Sequence, residues 1–236
     1  DLKGNMDSNF GMPHPEGYRK ALRLARQAEK FRRPVIFFVD TPGAFCGLQA
    51  EERGMAEAIA RNLFELSDLN VPTFTVITGE GGSGGALALS VSNKIYMMEN
   101  AILSVISPEG CASIIFKDSA RAEEAASSLR LTAFDLFELG IIDKIVEEDK
   151  DFESNLKPTL DRLEEMLYDD VFRFSFMDEE KMKDQRYNKY RSIGFFEAEK
   201  AQIPEKLLNA ANGNNNGNIN GKNNFLNEVA RFFGLK

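Results

Sequence analysis

The chain is predicted to be an α/β protein whose mostly parallel strands are covered by helices. Three observations carry that expectation. From residue 15 to residue 146, apolar runs of strand length alternate with segments of helical periodicity. One β-branched run, Val71-Pro72-Thr73-Phe74-Thr75-Val76-Ile77-Thr78, enters a turn with five glycines in eight residues, Gly79-Glu80-Gly81-Gly82-Ser83-Gly84-Gly85-Ala86, which opens a small-residue helix. After about Glu147 the strand-like runs stop and charged amphipathic segments replace them.

Pro15 starts an amphipathic helix over 16–31, with Tyr18, Leu22, Ala25 and Ala28 on one face. Residues 34–39 read as a buried strand ending at Asp40, Thr41-Pro42-Gly43 turns the chain, and 51–69 reads as one long helix. A strand at 73–78 feeds the glycine turn and a short helix reaching about Val91. Strands follow at 94–98 and 102–106, then a helix at 108–116 with Ser107 as N-cap and Pro108 in its first turn. Residues 132–140 form a helix closed by Gly140, and 141–146 return as a strand. The segments 152–169 and 174–192 read as helices that pack on the core or on a partner. The expected organisation is a core at 1–147, further helices within 148–211, an Asn/Gly-rich linker at 212–224 and a terminal amphipathic helix at 225–236.

A chain of 236 residues can bury a sizeable core, and its 43% hydrophobic and 28% charged residues are ordinary for a globular protein. The net charge of −8 argues against nucleic acid as a partner, since a phosphate backbone calls for a basic surface. Cys46 and Cys111 lie 65 positions apart with no C-x-x-C, so neither a zinc ribbon nor a disulfide framework is indicated, and no metal is expected on this chain. No apolar run of about 18 residues occurs, so no membrane helix is expected. No signal peptide is recognisable, and the expected location is cytoplasmic.

Three chemical readings compete for the glycine turn. Gly79, Gly81 and Gly84 satisfy G-x-G-x-x-G, with Glu99 where a dinucleotide fold keeps its ribose-binding acid. Gly81, Ser83 and Gly85 satisfy G-x-S-x-G, a nucleophile elbow, although the single histidine, His14, lies upstream. The third reading is an oxyanion hole of bare backbone amides with no nucleophile. Against all three stands a tight turn that merely packs helix on strand.

Four longer motifs add a resemblance. They are Asn9-Phe10-Gly11-Met12-Pro13-His14-Pro15-Glu16-Gly17-Tyr18-Arg19-Lys20-Ala21; Asp40-Thr41-Pro42-Gly43-Ala44 with Gly47 and Ala50-Glu51-Glu52-Arg53-Gly54; the glycine turn through Ala88; and Ser104-Val105-Ile106-Ser107-Pro108-Glu109-Gly110-Cys111-Ala112-Ser113. Together with Glu57-Ala58-Ile59-Ala60-Arg61-Asn62-Leu63, they resemble the α-subunit signature of bacterial acetyl-coenzyme A carboxylase carboxyltransferases. The likeness covers residues 1 to about 147 and continues weakly through Arg186, Tyr187, Lys189, Tyr190 and Gly194. The chain starts inside the family's length, so an N-terminal helical segment is expected to be missing.

The resemblance implies a crotonase/ClpP-like spiral of β-β-α units with additional C-terminal helices; the residue pattern alone leaves a doubly wound sheet open. It implies transfer of a carboxyl group from carboxybiotin to acetyl-CoA, giving malonyl-CoA for fatty acid biosynthesis. Two oxyanions then need stabilising, the ureido oxygen of biotin and the thioester oxygen, and biotin freed of CO₂ takes the methyl proton itself. The amides of Gly85 and Ala86 are the expected catalytic hole for the ureido oxygen, with Gly81, Gly82, Ser83, Gly84, Thr41 and Gly43 as substrate-binding residues. Glu109 sits at the Pro-Glu position of enoyl-CoA hydratases, but position 129 is leucine, so hydration is not expected. The implied partners are a β subunit in an α2β2 assembly, a biotin carboxyl carrier protein bearing the biotin, and a biotin carboxylase; zinc is expected only on the β partner. The competing readings are an NAD-binding oxidoreductase and a non-catalytic scaffold subunit.

Overall fold

A computed structural model describes residues 2–152 and 154–194. The expected linker at 212–224 and terminal helix at 225–236 lie outside the described residues. In chain order the elements are α1 (Leu2–Asp7), α2 (Pro15–Lys30), β1 (Val35–Thr41), α3 (Leu48–Glu52), α4 (Met55–Ser67), β2 (Thr73–Gly82), α5 (Ser83–Leu87), β3 (Lys94–Met98), β4 (Ile102–Ser104), α6 (Pro108–Ile115), α7 (Ala122–Leu129), α8 (Ala133–Glu138), β5 (Lys144–Val146), α9 (Lys157–Ser175) and α10 (Glu179–Ser192).

The sheet is built on β2. Its order is β1-β2-β3-β5, with β4 also on β2, and every pairing is parallel. Residues Phe74 to Ile77 of β2 pair with β3, whereas Glu80, Gly81 and Gly82 pair with β4. One strand therefore serves two neighbours along its length, and its second half carries the glycine turn away from the main sheet.

Because helices cover both faces, β2 shows no alternation: Phe74, Val76 and Ile77 are all fully buried. On one face Leu22 and Ala25 of α2 meet Leu66 of α4, Val35 and Val71. On the other, Leu163, Leu167 and Phe174 of α9 lie over β2, β3 and β5, and Phe174 meets Phe74 edge-on at 5.6 Å. Burying a ring of that size contributes about 1.5–3 kcal/mol. The buried hydroxyl of Thr75 donates to the carbonyl of Leu89 at 2.8 Å, tying the strand to the segment that leaves α5.

Local signals placed several ends correctly. Ser107 caps α6 by accepting the Gly110 N–H at 3.1 Å, Thr132 caps α8, and Gly140 follows α8 at φ +70°. The single long helix expected at 51–69 is instead two helices. Gly54 adopts φ +78° between α3 and α4, and Arg19 donates to the Arg53 carbonyl at 2.7 Å, fixing the break. The helix after the glycine turn ends at Leu87 rather than near Val91, and α7 was not anticipated.

The last helix is held by polar groups. Only Met182 and Arg186 of α10 are buried. Gln185 and Arg186 bond Asn93, Lys189 pairs with Asp143, and the Tyr190 hydroxyl donates to the Ser90 carbonyl and accepts the Ser92 N–H. Asn93 and Ser92 themselves close the loop between α5 and β3, so α10 fastens the far side of the glycine-turn helix.

Candidate active site

The site forms where the carboxyl end of β1 meets the turn between β2 and α5. Ends of parallel strands are where such folds place ligands. Thr41 is buried, and its hydroxyl donates to the Gly43 carbonyl at 2.8 Å while accepting the Gly43 N–H at 3.1 Å. The side chain of Thr41 and the amide of Gly43, both expected at the substrate, are thus engaged with each other inside their own turn.

The facing turn needs its glycines for two different reasons. A side chain on Gly82 would begin where the Pro42 carbonyl lies. One on Gly85 would sit 2.5 Å from the Ala44 nitrogen, 2.7 Å from the Gly43 carbonyl carbon and 2.9 Å from the Tyr18 hydroxyl. The two loops are therefore in backbone contact. Gly84 differs, since a Cβ there would make only ordinary contact with Ile59.

Ser83, exposed at the head of α5, holds φ +52°, a conformation that costs a non-glycine residue about 1 kcal/mol or more. No side chain caps α5, whose N-cap is Gly82. By helix geometry the N–H groups of Ser83, Gly84 and Gly85 have no acceptor within α5. Gly85 and Ala86, the pair expected at the oxyanion, are both buried at the head of α5.

A cavity of about 280 Å³ opens beside this turn. Pro42, Gly81, Gly82 and Ser83 form one side of it. Ile102, Ile106 and Leu131 form apolar walls, and Glu80, Ser104, Ser107, Pro108 and Glu109 complete the lining. Of the residues expected at the substrate, Gly81, Gly82 and Ser83 reach the cavity, while Thr41, Gly43, Gly84, Gly85 and Ala86 lie behind it. The wall from β4 and Leu131 was not anticipated. It depends on the pairing of Ile102 with Thr132 and the bond from the Leu103 N–H to Leu131, 28 residues away, which no local pattern encodes.

Tyr18, 1% exposed, points its hydroxyl at Gly85 with no hydrogen-bond partner among the described residues. Burial pushes its pKa up to about 12, so the ring is a neutral prop under the loop contact.

The geometry bears on the competing motifs. His14 meets Phe45 in a tilted ring contact at 4.7 Å, with its Nδ1 3.1 Å from an Arg53 nitrogen, leaving Ser83 with no histidine partner among the described residues. A nucleophile elbow without a base activates nothing. Glu99 accepts the Glu148 N–H at 2.9 Å and so binds the loop after β5. Among the described residues no lysine or arginine lines the cavity, while Glu80 and Glu109 do, an electrostatic setting unsuited to a pyrophosphate. Among the described residues, no three His, Cys, Asp or Glu side chains gather as a metal site, and no helix is long and apolar enough to cross a membrane.

Residues 1–194 match the family described as acetyl co-enzyme A carboxylase carboxyltransferase-like. The chain belongs to that family.

Within the carboxyltransferase family, the chain is similar to the acetyl-coenzyme A carboxylase carboxyl transferase subunit alpha of Listeria monocytogenes serotype 4a (strain HCC23), with 52% identity over 198 residues. That match covers 84% of this chain and 62% of the relative, so the chain spans less than two thirds of that protein's length. It is also 52% identical over 195 residues to a protein of Clostridium tetani (strain Massachusetts / E88) named acetyl-coenzyme A carboxylase carboxyl transferase subunits beta/alpha, covering 82% of this chain and 34% of the relative. Among solved structures it is similar to a Pseudomonas malonate decarboxylase hetero-tetramer in complex with coenzyme A, with TM-score 0.59, 18% identity, and 75% of this chain and 71% of that chain covered. This last likeness bears on fold alone, and the fold is the crotonase type.

Proposed function

We propose that the chain is the α half of an acetyl-CoA carboxylase carboxyltransferase. In this reading it takes a carboxyl group from carboxybiotin on a carrier protein and passes it to acetyl-CoA, giving malonyl-CoA. The observation that carries the reading is the glycine turn at the head of α5, which no side chain caps, beside a cavity whose described lining holds no histidine, lysine or arginine. Family membership supports it, as does the naming of the Listeria and Clostridium relatives.

The lining fits a neutral bicyclic ureide better than a charged cofactor. Glycines, isoleucines and Leu131 give it an apolar, small-residue surface, and the only formal charges on it are the carboxylates of Glu80 and Glu109. Bound biotin supplies the transferable carboxyl group and, once relieved of it, the base for the substrate methyl. This chain's share is then positioning and electrostatics. Backbone amides of the glycine turn, which Ser83 brings to the cavity wall, donate to the oxygen on which negative charge builds, each such donor contributing about 2.7–4 kcal/mol to the transition state. The close contact of residues 42–44 with Gly82 and Gly85 holds those donors rigid, so little reorganisation accompanies the reaction. Ile102, Ile106 and Leu131 keep the oxygen in a low-dielectric setting, where a hydrogen bond is worth more than in water.

The second oxyanion, on the thioester, requires a second set of donors, which this reading assigns to a β subunit, together with the zinc site, in an α2β2 assembly in the cytoplasm. A biotin carboxylase recharges the carrier in the larger complex. The test is reconstitution: purified chain, β subunit and carboxylated carrier are combined with acetyl-CoA, and malonyl-CoA is measured. Turnover is expected only with both subunits. Full turnover by the chain alone, or micromolar NAD binding lost in Glu99→Ala, contradicts the reading.

A further inference from the structure

β1 and β2 advance in step from Val35 opposite Thr73 to Val39 opposite Ile77, and the next pair is Thr41 opposite Gly81. Two residues of β1 thus face four of β2, a bulge that leaves Thr78, Gly79 and Glu80 opposite Asp40 alone. The Asp40 carboxylate fills that bulge. Its Oδ1 accepts the Glu80 N–H at 2.9 Å, and a Cβ on Gly79 would lie 2.6 Å from the same oxygen. Only glycine at 79 leaves room for the carboxylate where it lies, and that carboxylate satisfies the Glu80 amide that the bulge removes from pairing with β1. Immediately beyond, Gly81 and Gly82 pair with Leu103 and Ser104, and Gly82 and Gly85 land on residues 42–44. The size of the bulge therefore sets where the free amides of α5 point.

We propose that Asp40 is a positioning residue for this site, acting through the Glu80 amide to fix the bulge that aims the α5 amides. Asp40 is exposed and does not line the cavity, so it acts without touching the ligand. What Asp40 supplies is an acceptor; its charge is incidental. The proposal rests on the carboxyl-transfer reading for its kinetic arm and on the backbone geometry alone for its structural arm.

The experiment compares Asp40→Ala, Asp40→Asn, Gly79→Ala and the Asp40→Ala/Gly79→Ala double variant in the reconstituted complex. Asp40→Ala is expected to lower kcat about 10- to 100-fold, the effect of misaiming a catalytic donor by a fraction of an ångström to one ångström. KM for the acyl-CoA stays within about twofold, because binding contacts are untouched. Asp40→Asn, which keeps an acceptor, retains kcat within about threefold of the parent. Gly79→Ala, whose Cβ evicts the carboxylate, matches Asp40→Ala, and the double variant falls no further. An unchanged kcat in Asp40→Ala, a loss in Asp40→Asn equal to that in Asp40→Ala, or additive losses in the double variant overturns the proposal. Should the parent complex transfer no carboxyl group, the carboxyl-transfer reading fails and amide hydrogen exchange decides this one. Faster exchange at residues 80–85 in Asp40→Ala than in Asp40→Asn supports it; equal exchange overturns it.

Discussion

Replacing Arg186 by methionine tests how α10 is held to the core. Arg186 is 1% exposed and pairs with no carboxylate among the described residues. Its guanidinium donates to the carbonyls of Leu66 at 2.9 Å, Ser67 at 3.1 Å, Leu69 at 3.0 Å and Val71 at 3.0 Å, and to Asn93 Oδ1 at 2.8 Å. The first two are last-turn carbonyls of α4, where a cation also complements the helix dipole. Methionine fills similar volume but leaves several buried acceptors unsatisfied, each costing about 1–3 kcal/mol. Part of that is returned, because burial of the cation is itself unfavourable and pulls its pKa down to about 10. The net loss should be about 2–4 kcal/mol, the cost of the stranded acceptors less the part returned. Arg186→Lys should fall between parent and methionine, since a single ammonium cannot serve acceptors spread over a planar fork. Urea unfolding followed by circular dichroism reads this as a lower midpoint at constant slope. A loss below about 1 kcal/mol for Arg186→Met refutes the reasoning.

Tyr18→Phe removes a buried hydroxyl that has no partner, so stability should hold or rise by about 1 kcal/mol in the same urea assay; a loss of that size shows the hydroxyl is bonded in solution. Gly54→Ala forces an alanine into φ +78° and should cost about 1 kcal/mol, with an unchanged thermal midpoint arguing against the break between α3 and α4. Asp170, fully buried, is pushed up by desolvation, but hydrogen bonds from Tyr96 and Lys144 and the charges of Lys144 and Lys94 outweigh that and hold its carboxyl below the usual range. A carboxyl depressed in the folded state contributes stability in full above the unfolded value of about 3.9, and that stability is lost as pH falls through the folded value. Asp170→Asn should therefore flatten the acid limb of stability against pH; parallel limbs for parent and variant count against this assignment.

The features legible in the sequence are those set by neighbouring residues. Ser107 before Pro108, Thr132 with Gly140, and a β-branched run entering glycines each specify their ends through local hydrogen bonds and φ preferences. The features that were not legible depend on residues far apart in the chain. The bulge at 78–80 needs Asp40, 40 positions from Glu80, and the cavity wall needs Leu131 against Leu103. The docking of α10 through Arg186 and Tyr190 escapes hydrophobic patterning because it is almost wholly polar.

In the carboxyl-transfer reading, backbone amides at the head of α5 perform the chemistry of this chain. Gly85→Ala tests it most directly, because the added Cβ would lie 2.5 Å from the Ala44 nitrogen and must push the two loops apart. The measurement is the rate of carboxyl transfer to acetyl-CoA by the assembled complex, with subunit association checked by analytical ultracentrifugation. The account predicts a rate about 10²- to 10³-fold below the parent's in a complex that still assembles; a parental rate in an intact complex would contradict it and leave the chain a scaffold.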